Sequence, residues 1–326
     1  MLPQFHALLE AAAAAPSSHN TQPWKFAVEG HYIRISADLQ RRLPVADADD
    51  HELYISLGAA LENLVLAAGA AGFGSNVMYD LQHPTQPGVI VHLYENADIR
   101  PDPLAASIGR RHVNRSEYLN EPLPFELLHL LQQSVRPEEA DVYIVTDAAT
   151  REKLGRLTAV ACRMQFRNPA FREELGRWVR FSEKEALQTG DGIAVASLGA
   201  PAVGAAVGRF VFRYCTHAVS EAIKAAELAE AGPVLAVLST TNNTPEGWVK
   251  LGRSFERLSL CTTRYDLAHA HLNMACEVPE VRKHLKATLQ LNGEPLLLLR
   301  IGYPKKVLPA SQRRPLASML QNGSTV

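Results

Sequence analysis

The chain has 326 residues, of which 47% are hydrophobic and 21% are charged, a composition typical of a globular protein long enough for two structural units. Its formal net charge of -1 supplies no strong field, so we expect neither nucleic acid nor a membrane as a partner. The first residues lack a signal-peptide pattern, and the four cysteines include no Cys-x-x-Cys pair. These features favour a cytoplasmic protein with reduced thiols.

The first hundred residues predict two helices and three strands. Residues 3–14 predict a helix, and "WKFAVEGHYIRISAD" predicts two strands joined by a turn. Residues 49–73 predict a long helix that is apolar around most of its circumference and therefore buried, with Asp49 and Glu52 forming a capping box. "VIVHLYE" predicts the third strand.

The rest of the chain predicts alternating helices and strands around an insert. After a polar arm, "GRRHVNRSEYLNEPLP", the predicted helices are "FELLHLLQQSV", "ATREKLGRLTAVA" and "TPEGWVKLGRSFERLSLCTTRYDL". The predicted strands are "VYIVTD", "PVLAVLST" and "EPLLLLRIGYP". Residues 168–231 predict an insert without strands, in which "PAFREELGRWVRFSEKEAL" forms one amphipathic helix. An insert of this length predicts a function of its own.

An internal repeat connects the two predicted long helices. "SLGAALENLVL" begins at Ser56, and "KLGRSFERLSL" begins at Lys250. Gly58 and Glu62 recur 194 positions later as Gly252 and Glu256, together with three leucines. The shared glycine and glutamate favour duplication over chance. We therefore predict an α+β fold of two similar halves, residues 1–97 and 98–326, each with a β-sheet and flanking helices around the central long helices.

The stretch "APSSHNTQPW" predicts a loop of defined shape, because it has prolines near both ends and closes on an apolar tryptophan. Pro23 predicts an extended backbone at Gln22. The stretch resembles the PSxxNxQPW loop of the nitroreductase superfamily, whose members bind FMN between two subunits. The "LGAALENL" helix, the "RRHVNR" arm, the "RIGYP" strand and the "RRPL" tail extend the resemblance over nearly the whole chain. The fused two-repeat layout resembles the Acg branch, in which the insert forms a lid over the flavin.

The resemblance implies FMN as the cofactor and assigns residues to it. Against the ring it implies Pro16, Ser17, Ser18 and Asn20, and beside flavin N5 it implies the backbone of His271, Leu272 and Asn273. A phosphate needs charge-assisted hydrogen bonds, for which the arm and the tail offer Arg111, Asn114, Arg115, Arg313 and Arg314. Because "RRHVNR" differs from the family's RRSxR, which arm arginine meets the phosphate and which meets the ring stays open. His269 and His271 lack a third ligand at sensible spacing, so no metal is expected.

Only one loop and one arm are present, which predicts one FMN per chain in a monomer that mimics a dimer, and further dimerisation of this unit stays open. Three functions remain open. The first is an oxidoreductase that takes hydride from NAD(P)H and reduces a nitroaromatic, quinone or similar small molecule. The second is a protein that sequesters or stores FMN. The third is a flavin-fragmenting enzyme on the same fold. The sequence identifies no catalytic residue.

Overall fold

The computed structural model describes residues 3–200 and 204–321, which contain two four-stranded antiparallel sheets and a two-stranded parallel pair. The first half contains α1 (Pro3–Ala13), β1 (Trp24–Glu29), β2 (Tyr32–Ala37), α2 (His51–Ala70), β3 (Phe73–Asp80) and β4 (Gly88–Glu95). The second half contains α3 (Phe125–Ser134), β5 (Asp141–Val145), α4 (Ala148–Arg167), α5 (Pro169–Trp178), β6 (Val179–Arg180), α6 (Glu183–Thr189), β7 (Ile193–Ala194), α7 (Ala205–Cys215), α8 (Ala218–Glu230), β8 (Val234–Thr240), α9 (Pro245–Arg264), β9 (Ala268–His271), α10 (Met274–Glu277), α11 (Pro279–Leu289) and β10 (Glu294–Gly302).

The two large sheets share one topology. The first has the order β1-β2-β4-β3, and the second has the order β5-β8-β10-β9. In each, the long helix, α2 or α9, follows the second strand of the sheet and precedes the third. The α+β architecture of two similar halves is therefore confirmed. The boundary predicted at residues 97 and 98 falls between the sheets and stays a prediction.

The long helices cross at the two glycines of the repeat. A Cβ atom on Gly58 would lie 2.0 Å from the carbonyl oxygen of Val249, and one on Gly252 would lie 2.1 Å from that of Ile55. Neither site has room for any side chain, so glycine permits this close backbone approach. The repeat thus identifies the axis around which the two halves pack.

Helix α2 is as buried as its sequence predicts. By length and composition it is the one helix within residues 3–200 and 204–321 that matches a membrane span, but 78% of its most apolar window is buried inside the protein. It packs against α1, α9 and the first sheet. Its apolar surface is therefore accounted for by the core.

The halves differ most between their first two strands. Only Gly30 and His31 separate β1 from β2, whereas residues 146–233 separate β5 from β8. The prediction of an insert without strands is wrong, because β6 pairs with β7. The single amphipathic helix predicted there is also wrong, since β6 breaks it into α5 and α6.

Two further local features differ from the sequence analysis. Strand β3 was not predicted. The capping box of Asp49 and Glu52 does not form. Instead, the carboxylate of Asp47 accepts hydrogen bonds from the backbone N–H groups of Glu52 (3.0 Å) and Leu53 (2.9 Å). The side chain of Glu52 is thereby left free to face another group.

The tail of the second half returns to the first sheet. Leu320 forms a parallel bridge with Phe26 of β1, and the N–H of Gln321 donates to the carbonyl oxygen of Phe26 (2.9 Å). This contact carries residues 310–314 past the loop that follows α1. It therefore brings basic residues of the tail to a site built mainly from other parts of the chain.

Candidate functional site

A cavity of about 310 Å³ lies where the two halves meet. Its walls come from the loop after α1, the first turns of α2, the arm at residues 108–115, the segment around β9 and α10, and the tail. Nine predicted cofactor residues line it: Pro16, Ser17, Ser18, Asn20, Arg111, Arg115, His271, Asn273 and Arg313. The fold thus gathers residues that are far apart in the sequence.

Three predicted residues lie outside the lining and support the walls. The Asn114 side chain donates to the carbonyl oxygen of Lys306 (2.9 Å), which ties the arm to the tail. Leu272 is buried and bonds through its backbone to the second sheet. The guanidinium of Arg314 donates to the carbonyl oxygen of Gln22 (3.3 Å).

The loop after α1 has an unusual backbone. His19, Asn20 and Gln22 have φ angles of 51°, 54° and 50°, in the left-handed region that non-glycine residues rarely adopt. The extended backbone expected at Gln22 before Pro23 is therefore wrong. The N–H of Gln22 donates to the Ser17 hydroxyl (2.8 Å), and this bond helps to hold the turn. Such conformations cost about 1–3 kcal/mol each and persist where surrounding contacts impose them.

Contacts from the insert and the tail impose this loop conformation. The Asn20 side chain donates to the carbonyl oxygen of Gly192 (3.0 Å), and that of Gln22 donates to the carbonyl oxygen of Gly190 (2.9 Å). Arg313 donates to the Asn20 side-chain oxygen (2.8 Å). The loop, the insert and the tail therefore form one hydrogen-bonded wall.

One end of the cavity is cationic and incompletely satisfied. Arg115 forms no hydrogen bond with any residue in the described ranges. Arg111 donates to the carbonyl oxygen of Ala14 (3.0 Å) and lies 3.3 Å from the carboxylate of Glu256, but its Nη1 is buried without a partner. The Nε of Arg313 is also buried without a partner among those residues. These donors are available to an anionic group.

Burial controls the charges at this end. It lowers the pKa of Arg111 and of Arg115, and it lowers the pKa of Arg313 to about 9. Burial, with the charge of Arg115, lowers the pKa of His19 to about 4 and that of His271 to about 3. Both histidines are therefore neutral at pH 7, and the positive charge is carried by the arginines.

The cavity lining also contains two carboxyl groups that the sequence analysis missed. Glu52 accepts hydrogen bonds from the Ser18 hydroxyl and from the Asn273 amide. Glu277 accepts one from the Gln165 amide and lies in hydrogen-bonding contact with Glu52. Burial is the main cause that raises the pKa of both carboxyl groups.

Glu256 was also missed as a site residue, although the repeat contains it. It is fully buried beneath Arg111, and burial raises its pKa to about 7 against the opposing effect of that arginine. His269, from the predicted His-x-His pair, lies within hydrogen-bonding distance of the hydroxyls of Ser259 (3.3 Å) and Thr262 (3.1 Å). It thus belongs to the wall behind the cavity.

Comparison with known proteins gives relatives over almost the full length. No protein-family profile matches the chain. "Putative NAD(P)H nitroreductase acg" of Mycobacterium tuberculosis is 25% identical over 320 residues, which cover 94% of this chain and 92% of the relative. "Probable NAD(P)H nitroreductase PigM" of Serratia sp. is 25% identical over 322 residues, which cover 90% and 86%.

Solved structures match the same architecture. A structure described as a putative nitroreductase from Anabaena variabilis aligns with 93% of this chain and 88% of its own, at a TM-score of 0.56 and 10% identity. A nitroreductase from Bacteroides fragilis, solved with bound FMN, aligns with 69% of this chain and 98% of its own, at a TM-score of 0.38 and 14% identity. The chain, with its two fused repeats, is therefore similar over nearly its full length to relatives named as NAD(P)H nitroreductases, and it has the nitroreductase fold.

Proposed function

We propose that this protein is an FMN-dependent oxidoreductase of the nitroreductase type, which takes hydride from NAD(P)H and reduces a nitroaromatic, quinone or similar small molecule. The observation that carries the proposal is a cavity between two nitroreductase-like halves, with unsatisfied arginine donors at one end. The names of the relatives as NAD(P)H nitroreductases support the electron donor. A nicotinamide-dependent reaction also agrees with the cytoplasmic location predicted from the sequence.

The cationic end fits the phosphate of FMN. Leaving a buried donor unsatisfied costs about 1–3 kcal/mol, and FMN would remove that cost at Arg313 through its phosphate and at Arg111 through the polar edge of its ring. Arg115 has no hydrogen-bonded acid in the described part of the chain, whereas Arg111 is partly neutralised by Glu256. We therefore assign the phosphate chiefly to Arg115 and the edge of the ring to Arg111.

The middle of the cavity fits a flat aromatic ring. Ile55 and Phe255 line it from the two long helices, and Pro16 lines it from the loop. Bound FMN would supply the ability to accept a hydride and to pass electrons to an acceptor. The task of this chain is to bind the ring, to exclude water and to place a positive charge where electron density increases on reduction.

Two measurements on the purified protein test the proposal. A flavin spectrum with about one FMN per chain is expected, because one complete set of residues is present. On anaerobic mixing with NADPH, the flavin absorbance should bleach and then return when a quinone or nitroaromatic is added. A spectrum that dithionite bleaches and NADPH leaves unchanged would contradict the reductase.

Sequestration of FMN is the second candidate, and the docking of the insert favours it. Asp191 forms ion pairs with Arg41 of the first half and with Arg180 of β6 (2.6 Å). Gly190 and Gly192 beside it accept hydrogen bonds from the loop that lines the cavity. We propose that the insert is a lid that these contacts hold closed against NAD(P)H.

Loosening that contact separates the two functions. Asp191→Asn should speed NADPH oxidation several-fold without lowering the FMN content, because both ion pairs weaken. Glu173→Gln, which alters an exposed ion pair with Arg177 on α5, is the matched control. An unchanged rate in the Asp191 variant, with its flavin retained, would show that the insert is not a lid.

A further inference from the structure

Two carboxyl groups of the cavity lining are arranged to share a proton. Glu52 and Glu277 are in contact and both line the cavity. Neither accepts a hydrogen bond from a cation in the described part of the chain. Each of two carboxylates in contact disfavours the ionised form of the other, so the arrangement favours one proton held between them.

The hydrogen bonds show which group carries the proton. Glu52 accepts bonds from two donors, Ser18 and Asn273, and these stabilise its ionised form. Glu277 accepts a bond from Gln165 alone. The arrangement therefore favours an ionised Glu52 that accepts the proton of Glu277.

The charges that face the pair act in opposite directions: the charge of Asp47 raises the pKa of Glu52, and the charge of His51 lowers the pKa of both carboxyl groups. His51 directly precedes Glu52 on α2, and its hydrogen bonds to Asp47 and Asp49 outweigh its burial and raise its pKa to about 10. Arg282 of α11 donates to the carbonyl oxygen of Cys276 and faces Asp49 at 3.8 Å. Helix α4 contributes Gln165 and the neutral thiol of Cys162.

We infer that Glu277 donates a proton to the acceptor that is reduced in this cavity and that Glu52 positions Glu277 for this step. The inference rests on the proposed reductase function. A hydride supplies two electrons and one proton, whereas a quinone needs two electrons and two protons to become a quinol. Glu277 supplies the second proton, remains as a carboxylate beside Glu52, and is reprotonated by water. The nicotinamide dinucleotide is the reductant.

The shared proton can be observed without turnover. At pH 7 the wild-type protein should show the infrared C=O band of a protonated carboxyl in addition to that of Glu256, whose pKa of about 7 leaves it partly protonated, and this additional band should disappear in Glu277→Gln. The band should persist in Glu246→Gln, which changes the repeat counterpart of Glu52, a half-exposed residue paired with Lys250 (2.6 Å). If the wild type lacks the band at pH 7, or if the band persists in Glu277→Gln, the carboxyl pair does not hold the proton.

The proton transfer is tested in the half-reaction with the acceptor. General acids contribute about 100-fold or more to rate. We therefore expect Glu277→Gln to slow the oxidation of the reduced protein by a quinone about 100-fold, relative to the rate at which NADPH reduces the protein. The rate of oxidation by the quinone should also no longer fall at high pH in this variant. Glu52→Gln removes the other carboxylate of the pair. This variant should shift the fall in the rate of oxidation by quinone to lower pH.

The outcomes separate the inference from the proposed function. A protein without FMN, or one that NADPH does not reduce, contradicts the reductase, and the infrared band still tests the pair. A reductase whose Glu277→Gln variant keeps the wild-type rate and pH profile with quinone contradicts the proton donor alone. If that variant fails to fold, the pH profile of Glu52→Gln decides, and an unshifted profile overturns the inference.

Discussion

The two buried glutamates of the repeat occupy corresponding positions on crossed helices, yet their surroundings differ. Glu256 faces the cavity wall and pairs with one arginine, Arg111, at 3.3 Å. Glu62, 194 positions earlier, is hydrogen-bonded by three arginines: Arg136 (3.0 Å), Arg253 (2.9 Å) and Arg257 (3.1 Å). One helix pair thus carries an open site at one end and a closed cluster at the other.

The closed cluster contains no free donors comparable to those of the cavity. Arg253 also pairs with Glu139 (3.0 Å), and Arg257 also pairs with Asp102 (2.9 Å). Arg136 follows α3, at the point in the second half where the first half has its cavity loop. The comparison indicates that acidic side chains fill the second location, whereas the first leaves its arginines for a ligand. This difference supports the expectation of one FMN per chain.

The helix crossing underlies both locations, so breaking it should have the largest effect. Gly58→Ala places a methyl group 2.0 Å from the carbonyl oxygen of Val249, where rigid backbone must move. We expect the free energy of unfolding to fall by about 3 kcal/mol or more, with loss of cofactor binding. Gly69→Ala in the same helix, whose methyl would lie 3.9 Å from Ile99, is the control, and urea unfolding is the measurement. Equal stability of the two variants would contradict the close crossing.

The closed cluster should be important for stability and not for the cofactor. Glu62→Gln removes the carboxylate that three arginines share, and breaking such buried pairs costs about 3–5 kcal/mol. We expect a loss near the lower figure, since Glu139 and Asp102 still neutralise part of the charge. The FMN content of the folded variant should stay at the parent value. Loss of flavin before loss of fold would mean that this end also contributes to binding.

The open site should make stability depend on pH through Glu256. Its pKa of about 7 lies above the ordinary value of 4.5, so the folded state binds the proton more tightly than the unfolded state. The stability contributed by this group is therefore present at pH 4.5 and is lost as the pH rises through 7. Glu256→Gln should flatten that decline in urea unfolding of the cofactor-free protein. A variant that keeps the full wild-type decline would assign it to other groups.

The smallest effect should come from removing an open donor. Arg115→Met should weaken FMN by about 1.5–3 kcal/mol, the worth of one charge-assisted hydrogen bond, with little change in the stability of the cofactor-free protein. Arg253→Met, in the closed cluster, should show the reverse pattern. Flavin release on dialysis and urea unfolding measure the two quantities. If both variants respond alike, the distinction between the open and closed locations is wrong.

The sequence predicts the architecture well where residues repeat a pattern. Gly58 and Gly252 repeat within leucine-rich helices, and in the structure the two helices cross at these glycines. Strand β3 escapes prediction because "FGSNVMYD" has glycine, serine and asparagine at its second to fourth positions and is a sheet-edge strand, whose pairing is set by β4. Its strand character comes from tertiary contact and not from local preference.

The site is predictable only in part, for a similar reason. The loop and the arm have local motifs, and most of their residues reach the cavity. Glu52 and Glu277 have no motif. In the sequence, Glu52 suggests a helix cap. Only the fold brings it into contact with the carboxyl group of Glu277, more than two hundred positions away. Long-range pairs of this kind leave no signal in a single sequence.

The fusion of the two repeats also changes what a mutation can do. In a symmetric pair of identical chains, every substitution appears in both sites at once. Here Glu62 and Glu256 are encoded by separate codons, as are the basic residues around them. A substitution at one location therefore leaves the other unchanged. One location can lose its ligand site and fill with ion pairs, while the other remains under selection to bind a ligand. The glycine crossing remains a joint constraint on both halves.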